Sequence, residues 1–97
     1  MLNKAPLSPP RVTVTLPGAL TRLFPGAHAQ VEVAAGTVEE MLDALDTRWP
    51  GMADRLRDSR PAVRQHISVF VDGERASLDT PLRQGATIHV LTAMSGG

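Results

Sequence analysis

The sequence predicts an α+β domain in which a mixed sheet of four to five strands packs on one main helix. Three observations carry this. Arg11–Leu16 and Gln30–Val33 alternate apolar and polar residues, the period of a half-buried strand. A single amphipathic segment with a sharp start at Thr37 follows them. Two more alternating stretches, Gln65–Val71 and Thr87–Thr92, complete the set. A one-faced sheet and an amphipathic helix each bury their apolar side against the other.

Residues 1–10 hold Pro6, Pro9 and Pro10, which discourage helix and central strand alike, and read as a flexible arm. The domain proper is expected over residues 11–92. In its first strand Val12, Val14 and Leu16 point one way, and Arg11, Thr13 and Thr15 the other. Pro17-Gly18 ends it. Leu20 and Leu23-Phe24 are expected to pack over the core from the next loop, and Pro25-Gly26 to turn. Gln30–Val33 then returns as the second half of a hairpin.

Gly36-Thr37 opens the helix. Thr37 and Glu40 have the spacing of a capping box: the hydroxyl takes a free backbone N–H, and the glutamate reaches back to the cap residue. Glu39 and Glu40 also suit the positive end of the helix dipole. Val38, Met41, Leu42, Leu45 and Trp49 form one apolar stripe, which assigns Trp49 to the core. Pro50-Gly51 stops the helix. Met52–Asp58 reads as a further short helical stretch with Met52 and Leu56 inward, and Ser59-Arg60-Pro61 breaks it. In the third strand Ile67, Val69 and Val71 share one face, and His66, Ser68 and Phe70 the other. Asp72-Gly73 is a tight-turn signal. Ala76–Leu78 is short and ambiguous, Asp79–Leu82 turns to drop Leu82 into the core, and Ile88 and Val90 face inward on the last strand. With this order the first and last strands can lie side by side at the sheet centre, the arrangement of a β-grasp.

Composition removes several function classes. The chain has 97 residues, enough for one domain. Lys+Arg and Asp+Glu both number 10 and balance, which argues against a nucleic-acid binder or a polybasic membrane anchor. There is no cysteine, hence no disulfide, thiolate metal site or nucleophilic thiol. No segment has the length of a membrane span, and the start has no signal-peptide pattern, so a soluble, cytoplasmic protein is expected. His28, His66 and His89 fit no metal-ligand spacing and read as surface residues, with His66 and His89 as candidate strand neighbours. Glu39, Glu40, Asp43 and Asp46 read as a solvated helix face, with Asp43 or Asp46 near Arg48. The glycines sit singly at turns, unlike a phosphate loop. No catalytic set, metal site or bound cofactor is expected.

Two features remain. The first is the flexible tail over residues 93–97, ending on Gly96-Gly97. Two glycines have minimal bulk and free backbone rotation, so the tail can thread a narrow channel. Its five residues reach roughly 17 Å when extended. The second feature is apolar. Phe70 and Leu91 interrupt the otherwise polar outer pattern of Thr13, Thr15, Ser68 and Thr87, and are expected to form a docking patch near the root of the tail.

The strand Val12-Thr13-Val14, the helix opening Gly36-Thr37-Val38, the Val69–Gly73 strand and turn, and above all the ending Ile88–Gly97 resemble the MoaD/ThiS family of ubiquitin-like sulfur carriers. The resemblance covers residues 11–97 and includes the small subunit of molybdopterin synthase. It implies that the Gly97 carboxylate is adenylated by a ubiquitin-activating-like adenylyltransferase, which uses the ATP. The adenylate then becomes a thiocarboxylate that serves a sulfur-acceptor biosynthetic enzyme for molybdopterin, thiamine or cysteine. Gly96, Ser95 and Met94 would thread, Phe70 and Leu91 would dock partners, and the chain itself would be a cosubstrate rather than an enzyme. The extra length over Pro50–Arg64 is similar to that of the larger carriers. The family's Ala-Gly-Gly type of ending is here Met94-Ser95-Gly96-Gly97. Two other classes stay open: a protein modifier conjugated through Gly97 to lysine, and a non-covalent interaction module with an idle tail.

Overall fold

A computed structural model describes residues 9–57 and 66–92. Its elements are β1 (Arg11–Thr15), α1 (Gly18–Thr21), β2 (Gln30–Ala34), α2 (Val38–Arg48), α3 (Met52–Leu56), β3 (Ile67–Val71), β4 (Glu74–Arg75) and β5 (Thr87–Thr92). The five strands lie in the order β2-β1-β5-β3-β4. β1 and β5 are the parallel pair near the centre, and β1–β2, β3–β5 and β3–β4 are antiparallel. This is the β-grasp expected from the order of elements.

Register follows from the alternation. Val12 faces Val33 and Val14 faces Val31 across β1–β2, so both strands put their valines on one side. On that side Val12, Val14, Val69, Ile88 and Val90 meet Val38, Met41, Leu42 and Leu45 of α2 in one core. Leu42 and Leu45 have no accessible surface. Leu82 is buried as the turn composition suggested, and Leu78 joins it.

The start of α2 is held twice. Glu40 N donates to Thr37 Oγ1 at 3.1 Å. The Glu40 carboxylate, expected at the cap residue, instead accepts from Gly36 N at 2.8 Å. Glycine leaves the room: a Cβ at position 36 would stand 3.1 Å from Glu40 Oε1. Two further N–H groups of the first turn, Val38 and Glu39, donate to the carbonyls of Thr80 and Leu78. The loop after β4 thus completes a cap that starts locally.

Several expectations are corrected. The Pro17-Gly18 stop opens a short helix, α1, in which Thr21 Oγ1 and the Leu20 and Thr21 amides turn back onto Pro17 and Gly18. Leu20 is buried and Phe24 packs on the core, but Leu23, in the turn after α1, is 52% exposed. The fourth strand is Glu74–Arg75, not Ala76–Leu78. Asp72 (φ 50°) and Gly73 (φ 88°) form a two-residue turn, so pairing resumes at once, with Val71 opposite Glu74 and Phe70 opposite Arg75. Trp49 is only half-buried, at the edge of the core, with the Arg48 guanidinium 4.8 Å over its ring. Arg48 meets neither Asp43 nor Asp46; it donates to the Glu32 carbonyl at 2.7 Å. Asp43 pairs with Arg57 at 3.2 Å, and Asp46 Oδ1 accepts from the Gly51 and Ala53 amides, both at 3.0 Å. Asp58 and Gln65, placed by sequence at element ends, lie outside the described residues.

Candidate docking site

β5 has neighbours on both edges, β1 and β3, and this fixes the strand from which the C-terminal residues continue. Its residues alternate cleanly. Ile88 and Val90 are buried under α2, while His89 and Leu91 are exposed on the opposite face. Leu91 stands opposite Ser68 and His89 opposite Phe70. Phe70 and Leu91 are therefore diagonal neighbours on one face, roughly 7–8 Å apart at Cα, within reach of an aromatic side chain. Phe70 is half-buried and Leu91 is 48% exposed. Among the described residues Leu91 and Leu23 are the large hydrophobic side chains most open to solvent.

The structure thus brings Phe70 and Leu91 together, as the pattern suggested, and puts Leu91 one residue from the end of β5. Phe70 sits one pair further from the tail. Met94, Ser95, Gly96 and Gly97 lie outside the described residues. His66 and His89 are not strand neighbours: Ile67 pairs with Thr92, so His66 lies at the far end of the ladder from His89.

Sequence reasoning missed Arg75. It pairs opposite Phe70 on β4, and its Nη2 donates to Ser68 Oγ at 3.2 Å. A guanidinium thereby borders the apolar patch on the side away from β5. The signal was present in Asp72-Gly73, since a two-residue turn after Val71 places residue 75 across from residue 70. On the other side the patch is bordered by Thr13, Thr15 and Thr87 of β1 and β5. An apolar centre with a polar rim is the anatomy of a protein interface. Among the described residues no cluster of three or more His, Asp or Glu side chains could hold a metal ion, and no helix is long and apolar enough to cross a membrane.

The sequence profile of the ThiS family matches residues 14–97. No curated protein matches the chain. Among solved structures, one chain of the BexX/CysO complex of Amycolatopsis orientalis is 31% identical, with 89% of this chain and 99% of that chain covered and a TM-score of 0.80. SAMP1 from Haloferax volcanii is 26% identical over 90% of this chain and 99% of its own, with a TM-score of 0.76. CysO from Mycobacterium tuberculosis is 25% identical over 86% of this chain and 99% of its own, with a TM-score of 0.78.

Proposed function

The chain belongs to the ThiS family of ubiquitin-like sulfur carriers, and from that premise we propose that it carries sulfur as a thiocarboxylate on Gly97. Carriers of this family are substrates of other enzymes and not catalysts. Chemistry on a carboxylate needs activation first. An oxygen of the Gly97 carboxylate attacks the α-phosphorus of ATP on a ubiquitin-activating-like adenylyltransferase, and pyrophosphate leaves. A hydrosulfide-class nucleophile then attacks the carbonyl carbon of the mixed anhydride. The C–S bond forms, and AMP departs with the former carboxylate oxygen. The thiocarboxylate passes its sulfur to a biosynthetic enzyme for molybdopterin, thiamine or cysteine, in the cytoplasm where ATP is supplied.

One observation carries the reading: the family match runs through residue 97 and so takes in Gly96-Gly97. The geometry supports it. Gly96, Ser95 and Met94 are slim or unbranched residues suited to a narrow channel, and they follow a strand fixed on both edges. Phe70 and Leu91 form the surface on which the adenylyltransferase and the acceptor dock, with Arg75 beside them. Likeness to a chain of a two-protein complex, BexX/CysO, supports a carrier that works by docking.

A second reading rests on the likeness to SAMP1, whose full name is small archaeal modifier protein 1. The same adenylate would then be taken by a lysine amine to give an isopeptide bond.

The test is pyrophosphate release by the adenylyltransferase of the same cell with ATP and the purified chain. Release should depend on the chain and vanish when residues are appended after Gly97. Equal release from the extended chain would exclude Gly97 as the activated group.

A further inference from the structure

The cations of this chain are almost all of one kind. Lys+Arg number 10, and Lys4 is the one lysine, so residues 11–97 carry arginine wherever they carry a permanent positive charge. Most contacts on the folded surface do not call for this. Arg57 Nη1 meets Asp43 at 3.2 Å and Glu39 at 3.6 Å. Arg11 Nη2 meets Glu32 at 3.4 Å, and Arg83 Nε reaches Asp72 at 3.9 Å. Each of these uses one nitrogen, which the point charge of a lysine ammonium supplies as well. Arg48 differs: its flat guanidinium lies over the Trp49 ring while donating to the Glu32 carbonyl.

The two cations differ in what they do to an activated acyl group. An exposed lysine titrates near about 10.4, so a small fraction is free amine at neutral pH and attacks a carbonyl carbon. A guanidinium stays protonated to about pH 12 and beyond and has no acceptor lone pair to offer. The chain also has no cysteine. Serine and threonine hydroxyls are weak nucleophiles, and they give esters rather than amides. His28, His66 and His89 are exposed, but an acylated imidazole is itself an activated acyl group, which water returns to the free acid. No side chain of residues 11–97 can therefore hold an acyl chain in a stable amide.

We propose that the domain is closed to amide formation with its own activated terminus, and that a second copy of this chain accepts the Gly97 acyl group at Lys4 alone among its side chains. In that step the Lys4 amine attacks the Gly97 carbonyl carbon and the C–N bond forms. The bond to the leaving group breaks, AMP departs with the electron pair, and one amine proton passes to solvent. The supply of activated Gly97 rests on the reading of function given above. For a carrier, activated copies await sulfur without cross-linking through their folded surfaces. For a modifier, polymers of this chain grow through Lys4.

Full chains carrying Gly97 as a chemically installed thioester test this without the adenylyltransferase. The α-amine is acetylated, and hydroxylamine removes thioesters and esters. Amide-linked dimer is then read by mass, and peptide mapping locates the linkage. The wild-type chain should form dimer joined at Lys4, and Lys4→Arg should reduce it to the level of chains without the thioester. Adding Arg83→Lys or Arg11→Lys to the Lys4→Arg chain should restore dimer, joined at the substituted position. Both side chains are largely exposed, 86% and 64%, so these changes leave the fold in place. Dimer of Lys4→Arg linked within residues 11–97 overturns the proposal, as does a wild-type chain that forms no Lys4 linkage. So does an added lysine that yields no more dimer than Lys4→Arg, because the arginines would then protect nothing. Failure of the carrier reading shows separately, as absent pyrophosphate release.

Discussion

Replacing Leu91 tests the docking face where the structure allows a magnitude to be worked out. Burying a leucine side chain completely contributes about 1.5–3 kcal/mol. Leu91 is 48% exposed in the free chain, so a partner that covers it gains about half of that, ~0.7–1.4 kcal/mol. Leu91→Ala should therefore weaken the complex with the adenylyltransferase by about 3–10-fold. Leu91→Asp should cost more, because the carboxylate would be desolvated against Phe70 without a partner. Titration calorimetry of each variant against the purified adenylyltransferase gives Kd directly. Urea unfolding gives the control: removing an exposed side chain should move stability by no more than about 0.5 kcal/mol. Asp43→Ala, on the exposed side of α2, should leave Kd unchanged. Wild-type affinity in both Leu91 variants would refute the assignment of this face.

Leu42→Ala should destabilise the fold by about 2–5 kcal/mol, since Leu42 is wholly buried between α2 and the sheet; a lower urea midpoint at unchanged slope checks it. Asp46→Ala leaves the Gly51 and Ala53 amides without their carboxylate and should cost about 1–3 kcal/mol; Asp46→Asn, which keeps an acceptor, should cost less in the same measurement. Phe70→Ser should weaken adenylyltransferase binding while the chain stays folded by circular dichroism, because Phe70 lies outside the buried core. Gly97→Ala should slow pyrophosphate release by crowding the threaded end, and an unchanged rate would speak against threading.

The parts of this molecule that were legible in the sequence are those set by local periodicity. The valines of β1, the stripe of α2 and the Thr37–Glu40 cap each follow from spacing within a few residues. The centre of the sheet was legible as well, because a helix placed between two hairpins leaves β1 and β5 as natural neighbours. What escaped depends on contacts remote in sequence or on a single residue. The Asp72-Gly73 turn fixes β4 at Glu74–Arg75, whereas in sequence the short stretch Ala76–Leu78 stays ambiguous; Leu78 is buried in the core, and its carbonyl takes the Glu39 amide. Arg48 was matched to carboxylates on its own helix, whereas it reaches the edge strand at the Glu32 carbonyl. Asp46 looked like one more solvated acid, but it ties the end of α2 to the start of α3. At the site, the outward phase of Phe70 and Leu91 was readable from alternation alone. Their diagonal placement and the presence of Arg75 needed the register.

The most direct measurement is the intact mass of the chain purified from its native cell, with fragmentation to locate any change. The account predicts a fraction heavier by the difference between one sulfur and one oxygen, with the change confined to Gly97. A terminal glycine that stays an ordinary carboxylate, even after incubation with ATP, sulfide and the cell's adenylyltransferase, would contradict it.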